Sequence, residues 1–239
     1  MKIEDIGFIV FVRKYEENSL LVKLLTKNNG VITGYVNETK YNKKEYQIGN
    51  LLSFNWFAKN LTQLGTLRTE LIKSYTSTFI ENRFNLRIIE NMAFLISNLL
   101  SENFLPDEEL FTTMENIFKS MSKKRTQNLI LKKYFYFENL LLNTLGTGIV
   151  LEDSNFKKLQ YVSKNSGLAV SKEKGDPYKE KLLQFPTIAK TTKIKEGDFI
   201  ECFEIIEFFL KKYLIKEIGN EDMYRKIIGI RDIFKKNIL

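Results

Sequence analysis

The sequence predicts an α+β, multidomain protein in which an N-terminal five-stranded β-barrel precedes a helical domain with a small inserted β-hairpin. Three observations support this prediction. Apolar residues alternate with a period of two over roughly the first 75 residues, as in strands. After Ser74 they recur at helical spacing. Between Gly146 and Gly175 that spacing lapses into glycine, serine and lysine, with turn chemistry at Asn165 to Gly167.

Five segments of alternation account for the barrel. Between the second and third segments, Asn29-Gly30 supplies a pair that permits positive φ in a tight hairpin. Several segments are apolar on both faces, which suits a small closed barrel whose outer surface is partly covered. Five short strands in about 75 residues are typical of an OB-fold. The segments are residues 6–13, 20–25, 31–36, 52–58 and 67–71.

The helical region divides at its capping residues. One helix opens at Pro106-Asp107, and another runs from about Thr126 to Leu145. A further helix is predicted after Pro177, and two more are capped near Asp198 and Asn220. The predicted domains are 1–75 and 76–239, with the hairpin inserted at about 149–175. The stripe predicted for the first helix consists of Phe84, Ile88, Met92, Leu95, Leu99 and Leu100.

The composition excludes several classes of chemistry. The chain has no histidine, so Ser-His-Asp and Cys-His mechanisms and imidazole metal ligands are excluded. Its single cysteine, Cys202, rules out intrachain disulfides and cysteine-based zinc sites. Cys202 lies in an apolar helical pattern, which predicts a buried thiol. We therefore expect no metal and no cofactor.

An apolar run at the N-terminus, Ile6 to Val12, follows acidic residues and is far shorter than the ~20 residues of a membrane span. We therefore expect a cytoplasmic protein without a membrane partner. Its net charge of +8 is compatible with a surface that contacts phosphate.

Cations interleaved with aromatic rings indicate a nucleic-acid surface on the barrel. Lysine and arginine would contact phosphates, while rings stack on bases. An ordinary solvated lysine loop is the alternative for residues 40–46. Trp56 alternates with Phe54 and Leu52, which favours a core position over stacking. The candidates are Lys40, Tyr41, Lys43, Lys44 and Tyr46 in the loop, with Arg13, Lys14, Lys59 and Arg68 on or near strands.

Several segments, in order, resemble the bacterial DNA repair protein family RecO, in its alphaproteobacterial form. The opening strands of that family resemble Asp5-Ile6-Gly7-Phe8-Ile9-Val10, Glu17-Asn18-Ser19-Leu20-Leu21-Val22 and Leu25-Thr26 before Gly30. Its fourth-strand region resembles Gln47-Ile48-Gly49-Asn50, Trp56-Phe57-Ala58-Lys59 and Leu64-Gly65. Its C-terminal hairpin and following helix resemble Tyr161-Val162-Ser163, Ser166-Gly167-Leu168-Ala169-Val170-Ser171, Pro177-Tyr178 and Leu182-Leu183.

The resemblance implies a recombination mediator that responds to DNA damage without being an enzyme. Such a protein binds single- and double-stranded DNA, anneals complementary strands, contacts the acidic tail of single-strand binding protein, and helps load RecA with RecR. It also implies a nucleoid-associated location. Many members hold zinc through cysteines near the hairpin, but residues 151–156 contain none, so zinc is not expected and packing alone should hold the hairpin.

A second basic segment could receive the acidic tail through charge-assisted contacts. Plain solvated charge explains it equally well. The candidate partner-binding residues are Lys123, Lys124, Arg125, Lys132 and Lys133.

Two other functions stay open. An OB-containing RNA-binding or translation accessory protein fits the charge and aromatic content equally well. A metal-dependent enzyme would use acids such as Asp107-Glu108-Glu109, but acids in the first turn of a helix have a sufficient structural cause.

Overall fold

The structure, a computed structural model, describes residues 1–37, 39, 42, 44–60, 63–101, 108–150, 158–190 and 196–238, without the side chains of residues 196, 197, 237 and 238. The chain forms two compact units. One comprises Met1–Ser122 with Phe234–Ile238, and the other comprises Lys123–Ile233. The domain limits predicted from the sequence, 1–75 and 76–239, stay a prediction.

The first unit contains a closed five-stranded barrel. The strand order is β1-β2-β3-β5-β4, and every neighbouring pair is antiparallel except β3 and β5. This arrangement is that of an OB-fold, so the predicted fold class is confirmed. The strands are β1 (Lys2–Glu16), β2 (Ser19–Thr26), β3 (Val31–Asn37), β4 (Leu51–Phe57) and β5 (Gly65–Lys73).

The length of β1 lets one strand close the barrel. Its first half pairs with β4, from Lys2 opposite Phe57, and its second half pairs with β2, as far as Glu16 opposite Ser19. The register shifts between Ile9 and Phe11. A bulge of this kind bends a strand and increases its twist. β1 therefore pairs with β4 along its first half and with β2 along its second half, on either side of the bend.

Two glycines permit the last contact of the barrel, between β3 and β5. Gly34 lies opposite Gly65, and a Cβ atom added to Gly65 would lie 2.3 Å from the Trp56 ring. Trp56 is buried, and its Nε1 donates a hydrogen bond to the Thr33 carbonyl at 3.0 Å. The core position favoured for Trp56 is therefore confirmed.

Helices of the same unit cover part of the outer barrel surface. Phe8 of β1 points outward, and its ring lies 5.0 Å from that of Phe111 and 5.1 Å from that of Phe118. Tyr75 completes the cluster, with its ring 4.8 Å from Phe118. This explains why β1 is apolar on both faces. The helices are α1 (Tyr75–Thr78), α2 (Arg83–Leu99) and α3 (Glu108–Ser122), and the predicted α2 stripe is buried.

The predicted opening of α3 at Pro106-Asp107 lies outside the described residues. α3 is described from Glu108 onward. In the second unit, α4 (Gln127–Thr144) ends before Gly146, whose φ of 78° is typical of a helix stop.

The second unit carries the predicted hairpin within a three-stranded sheet of order β7-β6-β8. The helix predicted after Pro177 is wrong: a six-residue 3₁₀ helix, Asp176–Lys181, leads instead into β8, which pairs with β6. Proline suits the first turn of either helix type, so the local signal did not distinguish them. The strands are β6 (Leu159–Ser163), β7 (Ala169–Ser171) and β8 (Leu182–Gln184).

The remaining helices are α5 (Lys172–Gly175), α6 (Thr187–Lys190), α7 (Glu196–Lys211) and α8 (Glu221–Ile238), and they belong to this unit except for Phe234–Ile238 of α8. A π-helical segment, Lys212–Glu217, continues α7. As predicted, Asn220 caps α8, since its Oδ1 accepts a hydrogen bond from the Met223 amide at 2.9 Å.

The sequence suggested that packing alone would hold the hairpin, but the structure shows that hydrogen bonds hold it as well. Asn139 of α4 accepts a hydrogen bond from the Ile149 amide at 2.8 Å and donates one to the Ile149 carbonyl at 3.2 Å. Asn143 donates to the same carbonyl at 3.2 Å. The Val150 amide then donates to the Gly167 carbonyl at 2.8 Å. Two amide side chains thus link α4 through residues 149 and 150 to the hairpin turn.

A buried ion pair joins three helices of the second unit. The Arg231 guanidinium of α8 donates hydrogen bonds to Glu138 of α4 and, at 3.3 Å, to Glu207 of α7. Tyr134 also donates to Glu138, and the Phe203 ring centroid lies 5.1 Å from the guanidinium carbon. Arg231 has no exposed surface. Arginine favours such sites because its planar fork can serve several acceptors.

Cys202 is buried, as predicted, and burial raises the pKa of its thiol well above the usual range. In the part of the chain that the structure describes, no helix combines the length and hydrophobicity needed to cross a bilayer.

Candidate nucleic-acid interface

Five of the predicted nucleic-acid contacts are exposed cations. Arg13 and Lys14 lie near the end of β1, and Arg68 lies on β5. Lys44 lies in the connection from β3 to β4, and Lys59 in the connection from β4 to β5. The predicted contacts Lys40, Tyr41 and Lys43 lie outside the described residues.

The prediction that Tyr46 contacts nucleic acid is corrected, because its ring belongs to the barrel core. It is only 9% exposed, and its hydroxyl forms a hydrogen bond with that of Thr69 at 2.9 Å. Burial raises the pKa of this phenol. Tyr46 therefore closes one part of the barrel interior and is not available for stacking on a base.

Strand register places five residues in one row on the outer barrel surface. The pairs that form the row are Arg13 with Leu21, Leu21 with Tyr35, Tyr35 with Thr66, and Thr66 with Phe57. Side chains of directly paired residues lie on the same face of a sheet. Since neighbouring strands lie about 4.8 Å apart, the row follows roughly 19 Å of the circumference. We call these five residues the barrel row.

A stacked pair of tyrosines stands at this row. The rings of Tyr15 and Tyr35 lie 6.3 Å apart with an angle of 17° between their planes. Tyr15 is 47% exposed and follows Arg13 by two residues, where the register of β1 shifts. Neither ring was among the residues predicted from the sequence. Tyr35 could have been placed on the outer surface, because it is adjacent on β3 to the inward-facing Val36 and neighbouring strand residues face opposite sides.

A cation and a ring also meet at the other end of the barrel row. The Arg68 guanidinium lies 5.4 Å from the centroid of the Phe57 ring, and both side chains are exposed. Lys59 follows Phe57 by two residues. Arg13 thus belongs to the barrel row and Arg68 contacts its Phe57, whereas Lys14 and Lys59 are near the row only along the chain. Lys44 lies in a different connection.

The barrel row has the chemistry of a strand-binding surface. Arg13 of the row and Arg68 beside its Phe57 can neutralise phosphates, and the face of Tyr15 that points away from Tyr35 offers a stacking plane for a base. In the described part of the chain, no cluster of three or more acidic or thiol side chains is placed to hold a metal ion.

The partner-binding candidates differ in exposure and in the element that carries them. Lys123, Lys124 and Arg125 are exposed in the connection from α3 to α4, whereas Lys132 and Lys133 are half-buried on α4. Lys132 lines an apolar pocket of about 240 Å³ in the second unit. The other lining residues are Phe135, Tyr136, Asn139, Ile149, Phe185, Pro186, Ile188 and Ala189.

A second lysine lies beside this pocket and was missed from the sequence. The Lys190 ammonium lies 5.6 Å from the Phe185 ring and donates to the Gln160 amide oxygen at 3.1 Å. Burial lowers the pKa of Lys190. Phe185 and Lys190 lie far from Lys132 in the sequence, so no local pattern connects them.

Comparison with known proteins gives one consistent result. The family model described as recombination protein O, N-terminal, matches residues 1–75. DNA repair protein RecO of Rickettsia canadensis is 36% identical over 224 residues, which cover 90% of each chain. RecO of Rickettsia conorii is 33% identical over 90% of this chain and 91% of its own. RecO of Orientia tsutsugamushi is 30% identical over all of this chain and 98% of its own.

Proposed function

This chain belongs to the RecO family of DNA repair proteins, and from that premise we propose that it binds single- and double-stranded DNA and anneals complementary strands. Membership of this family supports a role in DNA repair and recombination. The stacking of exposed Tyr15 on Tyr35 of the barrel row is the observation that supports strand binding most directly.

Annealing by such a protein needs no bond-breaking chemistry. Two DNA strands repel each other through their phosphates, and a cationic surface lowers that repulsion by displacing the condensed counterions. Base pairing then supplies the driving free energy. We therefore propose that the protein accelerates base pairing physically and uses neither a cofactor nor nucleotide hydrolysis.

The test of the proposal is the rate of annealing of complementary oligonucleotides, with and without single-strand binding protein. The protein should accelerate DNA annealing, and the acceleration should weaken steeply as salt rises. Failure to accelerate annealing of DNA, or a preference for RNA strands, would contradict the proposal.

For the barrel, we expect Tyr15→Ala to weaken binding of a single-stranded oligonucleotide by roughly 5- to 150-fold, equivalent to about 1–3 kcal/mol for one lost stacking contact. Fluorescence anisotropy with labelled oligo-dT measures this change. Tyr15→Phe is the matched control, since it keeps the ring and should bind like the parent protein. Equal affinity of the alanine variant and the parent would remove Tyr15 from the interface.

We also propose that the pocket at Lys132 receives the acidic tail of single-strand binding protein. An apolar side chain of the peptide would enter between Phe135, Phe185 and Ile188, while Lys132 and Lys190 face its carboxylates. Cooperation with RecR in loading RecA is likewise proposed, and it rests on family membership alone.

Charge reversal tests the tail-binding pocket. We expect Lys132→Glu to weaken binding of a fluorescent acidic tail peptide at least tenfold, because it places like charges against each other. Lys44→Glu makes the same change in net charge on the barrel unit and should bind the peptide normally. Equal peptide affinity in the two variants would dismiss the pocket as the tail site.

A further inference from the structure

A second surface with the chemistry of a strand-binding site lies on the sheet of the second unit. In its 3₁₀ helix, Tyr178 and Lys181 are three residues apart, and side chains at that spacing eclipse each other. Tyr178 is 63% exposed, and Lys181 is also exposed. An aromatic ring and a cation are therefore presented together on one side of this short helix.

Two more lysines are held at the hairpin turn next to Lys181. Leu182, the residue after Lys181, pairs with Ser163, which precedes Lys164. Lys164 donates a hydrogen bond to the Glu180 carbonyl at 3.5 Å. Lys212, at the start of the π-helical segment, donates to the Asn165 carbonyl in the same turn. Three chain segments thus bring lysines to one end of the sheet.

The local charge favours an anionic ligand. Residues 158–184 contain six lysines and three acidic residues, a net charge of +3. One of those acids, Asp176, accepts a hydrogen bond from the Tyr161 hydroxyl at 2.6 Å. The lysine ammonium groups at the turn are anchored by backbone carbonyls, which do not neutralise their charge.

We propose that this surface, defined by Tyr178, Lys164, Lys181 and Lys212, binds a second single strand of nucleic acid. The exposed ring stacks on a base, and the three lysines meet the phosphates on either side. An acidic protein segment would use the lysines but has no planar bases for Tyr178, so the ring favours a strand. The inference rests on the proposed annealing function, to which it adds a separate surface for each of the two strands.

The test counts the strands bound to the chain of residues 1–239. Native mass spectrometry with short oligo-dT at saturation should find two strands per parent chain. At the lowest oligonucleotide concentration that fills both sites of the parent, the double variant Tyr178→Ser with Lys181→Ser should hold mainly one strand, as should the barrel variant Tyr15→Ala. In anisotropy titrations, Lys164, Lys181 and Lys212 replaced together by serine should make the log–log salt slope of the second binding step less negative by about 2, since each phosphate contact contributes about 0.7.

Two controls accompany the count. Tyr178→Phe keeps the ring, so this variant should still bind two strands. Lys172→Ser with Lys174→Ser removes two exposed lysines from α5 and should leave two strands bound. Because none of the altered positions is buried, circular dichroism of each variant should match that of the parent.

The outcomes separate this inference from the function on which it rests. If the parent chain binds no strand and accelerates no annealing, the proposed function itself fails. If the parent anneals strands and the variant with Tyr178→Ser and Lys181→Ser still holds two, the second surface is wrong. A variant that keeps both strands but loses an acidic peptide would reassign this surface to a protein partner and overturn the inference.

Discussion

Replacement of Arg231 by methionine is expected to lower the free energy of unfolding by about 3–5 kcal/mol, the usual cost of removing one partner from a buried ion pair. Glu138 is 3% exposed and would lose the guanidinium that now donates to it. Glu207 would lose its contact of 3.3 Å. Urea unfolding followed by circular dichroism measures the change.

The loss should depend on pH in a defined direction. Burial raises the pKa of Glu138, and the nearby Arg231 partly opposes that shift. Without Arg231, the pKa of Glu138 in the folded protein should rise further. A carboxyl whose pKa is raised on folding contributes stability that is fully present below its unfolded pKa of about 4.3 and is lost as pH rises through its folded pKa. The variant should therefore be closer in stability to the parent at pH 5 than at pH 8.

Two further variants make this prediction specific. Replacing Glu138 by leucine in the Arg231→Met background removes the buried charge, so a large part of the lost stability should return. Arg225→Met, on the same helix, breaks only exposed pairs, with Glu221 and Asp222, and should cost roughly 0.5 kcal/mol or less. Equal losses for Arg225→Met and Arg231→Met, or a loss that grows toward acid pH, would contradict the buried-pair explanation.

Gly65→Ala is expected to destabilise the barrel by about 2–3 kcal/mol through overpacking. The new Cβ would lie 2.3 Å from the Trp56 ring and 2.8 Å from the Phe57 carbonyl oxygen. Since the indole is itself held by the Thr33 carbonyl, it cannot move away without losing that hydrogen bond. Trp56 is the only tryptophan of the chain, so its fluorescence during urea unfolding reports on the barrel.

Gly229→Ala is the matched control for the same chemical change. A Cβ at Gly229 meets nothing within 4 Å, and this residue lies inside α8. Alanine there should leave the unfolding transition of Trp56 unchanged or move it upward, because glycine is unfavourable in a helix interior by about 0.5–1 kcal/mol. A barrel that tolerates Gly65→Ala as well as Gly229→Ala would show that β3 and β5 do not need this glycine to pair.

Much of the fold was accessible from the sequence because its signals are local. Alternation in Val22 and Leu24 shows which face of a strand is buried, and Gly30 marks the hairpin between β2 and β3. The end of α4 before Gly146 and the cap of α8 at Asn220 are likewise predicted by the residues at those positions alone. The segment after Pro177 was wrong because its chemistry fits a 3₁₀ helix as well as an α-helix, and only pairing with β6 decided the outcome.

The candidate site was predicted only in part. Exposed cations such as Arg13 and Arg68 could be chosen from charge alone, but charge could not place Tyr46 in the core or Tyr15 against Tyr35. Those outcomes depend on which residues of distant strands become neighbours when the barrel closes.

By itself, the sequence determined the barrel strands, several helix limits and the lack of histidine and of intrachain disulfides, because these follow from residue identity or the spacing of a few residues. The order of matching segments along the chain indicated the family. Only the tertiary structure decided which rings face solvent, how Arg231 is neutralised, and which lysines gather at the hairpin turn. The physical reason is that local periodicity sets the face of each residue, whereas a binding surface requires contacts between residues far apart in the chain, and these arise only when the core packs.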